Sequence, residues 1–142
     1  GRFDLISLHG FLVLHRLKGD AMAASFAQNY AGALFEDMDR NLREMGVGDL
    51  SVGKQVRRMA EGFFGRSAAY GKALAEIGEP LTDVLERNLY GVQEMRDTAI
   101  LGAVASYVRR CVDHLAAQDI ADLTAGRVSF SPLSEDQKHG KV

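Results

Sequence analysis

Phe35–Tyr70 reads FEDMDRNLREMGVGDLSVGKQVRRMAEGFFGRSAAY, and the reading of this stretch decides the fold. An apolar stripe at Ala27, Tyr30, Leu34, Met38, Leu42 and Met45 leads into it at spacings of three and four, which predicts a helix over about Ala21 to Met45. Gly46 follows, a residue that accepts positive φ without steric cost and so ends a helix well. A second stripe starts at once. Val52, Val56, Met59, Phe63, Ser67, Tyr70, Leu74 and Ile77 predict a helix over about Ser51 to Ile77, roughly 40 Å long at 1.5 Å per residue. Gly78 and Pro80 stop it.

Between the two stripes, Gly48-Asp-Leu-Ser-Val-Gly53-Lys54 imitates a phosphate-binding loop. That motif needs Ser or Thr after its lysine to hold magnesium, and here Gln55 follows. It must also leave a β-strand, whereas the preceding residues are helical and bring carbonyl oxygens, with partial negative charge, to the turn. The expectation is a corner between two helices, with Asp49 or Ser51 capping the second.

The same periodicity extends outward. Arg2–Leu17 is apolar around most of a helix circumference, as in a helix buried on several sides, and Asp20 is placed to cap the next helix. Leu81–Tyr90, ending at Gly91, and about Gln93–Ala116 are further helices, with a short turn at Ile120–Leu123 before Gly126. The expected architecture is all-α, a single compact helical domain of about five to six helices with one long central helix. It spans residues 1–126, and a polar, mobile C-terminal tail covers residues 127–142.

Composition narrows the function classes. One domain is what 142 residues hold, and 46% hydrophobic with 25% charged residues is ordinary for a globular chain. A formal charge of −2 gives no bulk attraction for nucleic acid, so no specific DNA binding is expected. Cys111 has no partner for a disulfide. The longest apolar run, Phe11–Leu14, is far short of the roughly 20 residues that span a bilayer. No signal-peptide pattern follows Gly1, and residues preceding Gly1 are compatible with this reading.

No catalytic constellation is visible. His9, His15, His114 and His139 are scattered, and Cys111 with His114 supplies two ligands where zinc needs three or four, so neither metal nor cofactor is expected. Glu36, Arg40 and Glu44 read as a salt-bridged exposed face. Lys54, Arg57 and Arg58 crowd the start of the long helix, where positive charge opposes the macrodipole. They are either a solvated face, with Arg57 paired to Glu61, or a contact for an acidic partner or anionic surface. Gly62, Gly65 and Gly71, with Ala69 and Ala73, give this helix a small-residue side. Either a neighbouring helix packs tightly there, or a shallow groove is left for a partner helix, with Phe64 beside it.

Phe35 through Lys54, then Arg57-Arg58-Met59-Ala60-Glu61, Phe63-Phe64-Gly65-Arg66 and Ala69-Tyr70 closely resemble the ubiquinol–cytochrome c chaperone family. Leu5-Ile6-Ser7-Leu8-His9, Leu14-His15-Arg16-Leu17 and Leu85–Tyr90 are similar to it as well, so the resemblance covers roughly residues 3 to 115. It implies a non-enzymatic assembly chaperone for ubiquinol–cytochrome c reductase that binds cytochrome b or its nascent chain. It also implies a bacterial form in the cytoplasm, peripheral to the inner membrane, as against a mitochondrial place in eukaryotic relatives. Contact with the ribosome or an anionic membrane surface fits that role. The resemblance carries no catalytic motif and no signal for an oligomeric state. The candidate partner-binding residues are Lys54, Arg57, Arg58, Glu61, Gly62, Phe64, Gly65 and Arg66. The competing reading is a helical haem- or small-molecule-binding protein using His9 or His114.

Overall fold

The computed structural model describes residues 2–90 and 97–132. Helices α1 (Arg2–Leu17), α2 (Ala24–Glu44), α3 (Asp49–Leu74), α4 (Leu81–Leu85), α5 (Thr98–Ala116) and α6 (Ile120–Thr124) follow one another, and no strand occurs among the described residues. A short 3₁₀ turn, Ala21–Ala23, leads into α2, and a π turn, Glu86–Tyr90, extends α4. Gly91, the start of the expected fifth helix at Gln93, Met95 and residues 133–142 lie outside the described residues.

Helix α1 packs against α2, α3, α5 and the π turn, which explains why its sequence is apolar nearly all round. Leu8, Phe11, Leu12, Val13 and Leu17 are buried on it and join one core with Tyr70, Leu81, Leu85, Val108, Cys111 and Leu115. The tight contact at a glycine falls at Gly10 of α1, where side chains from α2 and α3 press on its backbone. A Cβ there would lie 3.3 Å from Leu34 Cδ2 and 3.4 Å from the Phe63 ring. At Gly62, Gly65 and Gly71 a Cβ would meet nothing within 4 Å, so tight helix packing does not account for them.

Helix ends follow backbone chemistry. At the α2 terminus Gly46 takes φ +97, while its N–H reaches Arg43 O and the Val47 N–H reaches Leu42 O, both at 3.0 Å. This pair of bonds satisfies two carbonyls left without helical partners. Gly126 repeats the arrangement after α6 at φ +89. After α3 the left-handed position is held by Glu76, φ 61, with Ile77 N–H on Lys72 O at 2.8 Å. The long helix therefore ends at Leu74, three residues before the expected Ile77, because a glutamate takes the conformation that the sequence reserves for glycine. At its start Gly48, not Asp49 or Ser51, is the N-cap and no side chain caps the turn. The Asp49 carboxylate is engaged by Arg43, which also holds Asp39 at 2.7 Å. Asp20 does cap, accepting from the Met22 N–H at 2.9 Å. The exposed pairing on α2 joins Arg40 to Asp37 at 2.9 Å and Arg43 to Asp39, in place of the expected Glu36–Arg40–Glu44 ladder.

The beginning of the expected tail lies against the body of the protein. Val128 and Phe130 pack on the core. Gln118 donates to Ser129 O at 2.6 Å and accepts from the Ser129 N–H at 3.2 Å.

Candidate functional site

Helix α3 sorts its residues by face. Val52, Phe63, Tyr70 and Ala73 point into the protein, while Lys54, Arg57, Arg58, Glu61, Phe64, Gly65 and Lys72 are exposed and Gly62 is half-buried. Neither Arg57 nor Glu61 is in an ion pair or side-chain hydrogen bond, and the same holds for Lys54 and Arg58, so the Arg57–Glu61 bridge does not form. With the three cations Lys54, Arg57 and Arg58 to the one carboxylate of Glu61, this face is net positive on a protein of net charge −2.

Phe64 is 57% exposed. Its ring stands 5.8 Å from Phe35 and 5.5 Å from Phe63, both edge-on, so two aromatic neighbours hold an apolar side chain out toward water. Arg66 turns the other way. Its guanidinium lies over the Phe3 ring at 5.1 Å and its Nη1 is 2.8 Å from Asp4 Oδ1. That Nη1 makes no well-directed hydrogen bond, so charge and ring contact, not a linear bond, tie Arg66 to α1. Seven of the eight expected site residues thus share the outward side of α3, and Arg66 is given to the α1–α3 packing.

A groove of about 560 Å³ opens beside Phe64 between α1 and α3. Buried Phe11 and Phe63 line it with Leu14, the small residues Ala68 and Gly71, and exposed Phe64 and Ile77; His15, Lys18 and Lys72 also line it. Sequence reasoning placed Phe64 beside a groove and read Lys72 with the basic residues of this helix and Ile77 with its apolar stripe, but assigned neither to the groove, and gave no sign that His15 and Lys18 line it. His15 and Lys18 lie more than 45 positions from Phe64 in the chain, and only the crossing of α1 over α3 brings them there.

Burial, followed by the nearby Lys18 charge, holds the His15 imidazole below its ordinary value of 6.5. The unfolded chain therefore binds a proton at His15 more readily than the native protein. Stability rises with pH through this window and is lost as pH falls below about 6.5. Replacing His15 with glutamine should remove part of that loss. Urea midpoints at about pH 7.5 and about pH 5.5 should lie closer together in His15→Gln than in the parent. An unchanged gap would show that His15 does not contribute.

The imitation phosphate loop is a helix–helix corner. Gly48 takes φ −76 and ψ 162 as the N-cap of α3, and Lys54 sits within the helix with its side chain exposed. The histidines named for haem are engaged. His9 Nδ1 lies 2.9 Å from Leu5 O and Nε2 lies 2.8 Å from the Tyr107 hydroxyl. An Nδ1–H donated to Leu5 leaves Nε2 accepting from Tyr107. His114 Nε2 is 2.8 Å from the Ser129 hydroxyl. Cys111 is fully buried in the core. Among the described residues no three His, Cys, Asp or Glu side chains gather as metal ligands, and no helix is long and apolar enough to cross a membrane.

These features define an all-α domain with an exposed cationic and aromatic helix face. The chain belongs to the ubiquinol–cytochrome C chaperone family, whose pattern matches residues 1–130. It is similar to ubiquinol-cytochrome-c reductase complex assembly factor 1 of Xenopus laevis, 28% identical over 135 residues that make up 94% of this chain and 67% of that protein. Among solved structures, the Cbp3 homolog from Brucella abortus superposes with a TM-score of 0.80 at 37% identity, over 94% of this chain and 74% of the other.

Proposed function

We propose that this chain is a non-enzymatic assembly chaperone for ubiquinol–cytochrome c reductase that holds newly made cytochrome b through the outward face of α3. Family membership over residues 1–130 supports the assembly role, as does the likeness to a relative that is itself an assembly factor of that complex. The observation that carries the choice of surface is Phe64, more than half exposed on an aromatic base, on the same outward side of α3 as the unpaired Arg57 and Arg58. An exposed aromatic and arginines on one face is the composition of a protein-contact hot spot. Gly62 and Gly65, with open space above them, let a second backbone come near. A peripheral position on the cytoplasmic side of the inner membrane belongs to the same reading. Lys54, Arg57 and Arg58 are there available to anionic head groups, each contributing about 1 kcal/mol near a charged surface, or to ribosomal RNA.

The test is site-specific photo-crosslinking in membranes synthesising cytochrome b. A photoreactive residue at Arg57 or Phe64 should give a cytochrome b adduct well above that from Arg127, an exposed control paired with Asp122 at 2.7 Å. Equal yields at the three positions would refute the assignment of this face.

A further inference from the structure

The groove between α1 and α3 says more about what enters it than its shape alone. Phe64 and Ile77, which line it, are 57% and 61% exposed, a cost that water imposes unless another apolar surface covers them. Gly71 has no atom within 4 Å of where a Cβ would stand, and Ala68 and Ala75 beside it are short. A rod-shaped segment can therefore approach the α3 backbone as closely as helices approach one another. The described residues contain no strand and so offer no sheet edge to bind an extended peptide by its backbone. The formal charge here has one sign. Lys18 and Lys72 line the groove, both exposed and without hydrogen-bonding or ionic partners, and no aspartate or glutamate lines it.

We propose that this groove receives an apolar helical segment of the client that carries carboxylates along its edge, with Lys18 and Lys72 pairing to them. The inference rests on the chaperone reading above and names the chemistry of the segment held. Apolar contact with Phe64, Phe11 and Ile77 supplies the affinity, and the two lysines set the orientation and reject a segment with basic edges.

The probe is a synthetic helix of about 20 residues, long enough to cover the groove, with a leucine–alanine face and two glutamates a turn apart along its edge. Its binding to the purified protein is read by fluorescence anisotropy. The parent protein should bind it in a salt-sensitive manner. The double variant Lys18→Glu, Lys72→Glu should bind it roughly tenfold more weakly, the size that two exposed ion pairs supply. Phe64→Ser should weaken it as well, with the salt dependence retained. All three positions are exposed, so these variants should keep the parent circular dichroism. Affinity unchanged in the double variant would overturn the proposal. So would absence of peptide binding while anionic phosphatidylglycerol vesicles bind the parent and not the double variant, an outcome assigning the lysines to a membrane surface. A cytochrome b crosslink from Phe64 with no charge discrimination here would refute this inference and leave the chaperone reading standing. Charge discrimination without a cytochrome b crosslink would do the reverse.

Discussion

Replacing Phe63 with alanine should destabilise the protein by about 3–5 kcal/mol and lower its melting temperature by on the order of 10 °C. The side chain is 1% exposed and stands where three helices meet. Its ring is 3.4 Å from the position of a Cβ at Gly10 of α1, and 6.0 Å, edge-on, from Phe35 of α2. Truncation removes the apolar transfer energy and also leaves a void. The neighbours cannot close it, because Gly10 has no side chain to move and Phe35 is held by Phe64. Urea denaturation measures the loss, and a shift in midpoint with an unchanged slope locates it in the native state. A loss below about 1 kcal/mol would mean that α1, α2 and α3 do not converge on this ring.

Arg16→Ala should cost about 2–3 kcal/mol, far more than an ordinary surface arginine. The Arg16 Nε donates to Leu115 O at 2.8 Å and an Nη2 N–H donates to Gln118 O at 3.0 Å. Leu115 lies in the last turn of α5 and Gln118 just beyond its end, where the macrodipole is negative; the Leu115 carbonyl also accepts from the Gln118 N–H at 3.1 Å. One guanidinium therefore bridges two carbonyls and brings the preferred charge, on a half-buried side chain that ties the first long helix to the last. Arg16→Lys should recover only part of the loss, since an ammonium group lacks the planar fork that spans both oxygens. Hydrogen exchange in the last turn of α5 should accelerate in step with the stability loss. Unchanged protection in Arg16→Ala would refute the capping role.

The candidate surface was legible in the sequence to the extent that it lies on one helix. Lys54, Arg57, Arg58, Glu61, Phe64 and Gly65 fall outside the apolar stripe by spacing alone, and the structure exposes them all. Arg66 looked like part of the same cluster, because nothing in its own helix reveals Asp4 and Phe3 sixty residues earlier. The glycines misled for a related reason. Three small residues in α3 suggested a close helix contact, yet the contact occurs at Gly10, where α1 crosses α2 and α3. The competing haem reading of His9 could not be judged from sequence either, since its Tyr107 partner lies 98 positions away.

The sequence by itself determined the helical class, the placement of most helix bodies and ends, and the reading of Gly48–Lys54 as a corner. It also carried the family. Those properties depend on periodicities of three and four residues, on φ at single glycines, and on local motifs, all of which act within a few turns of chain. Only the tertiary structure decided that Arg16 caps α5, that Arg66 is anchored to α1, and that Lys18 and His15 stand opposite Lys72 across an apolar groove. These pairings depend on how rigid helices cross. Crossing is chosen by the shapes of whole faces packed at solid density, so no short stretch of sequence contains it.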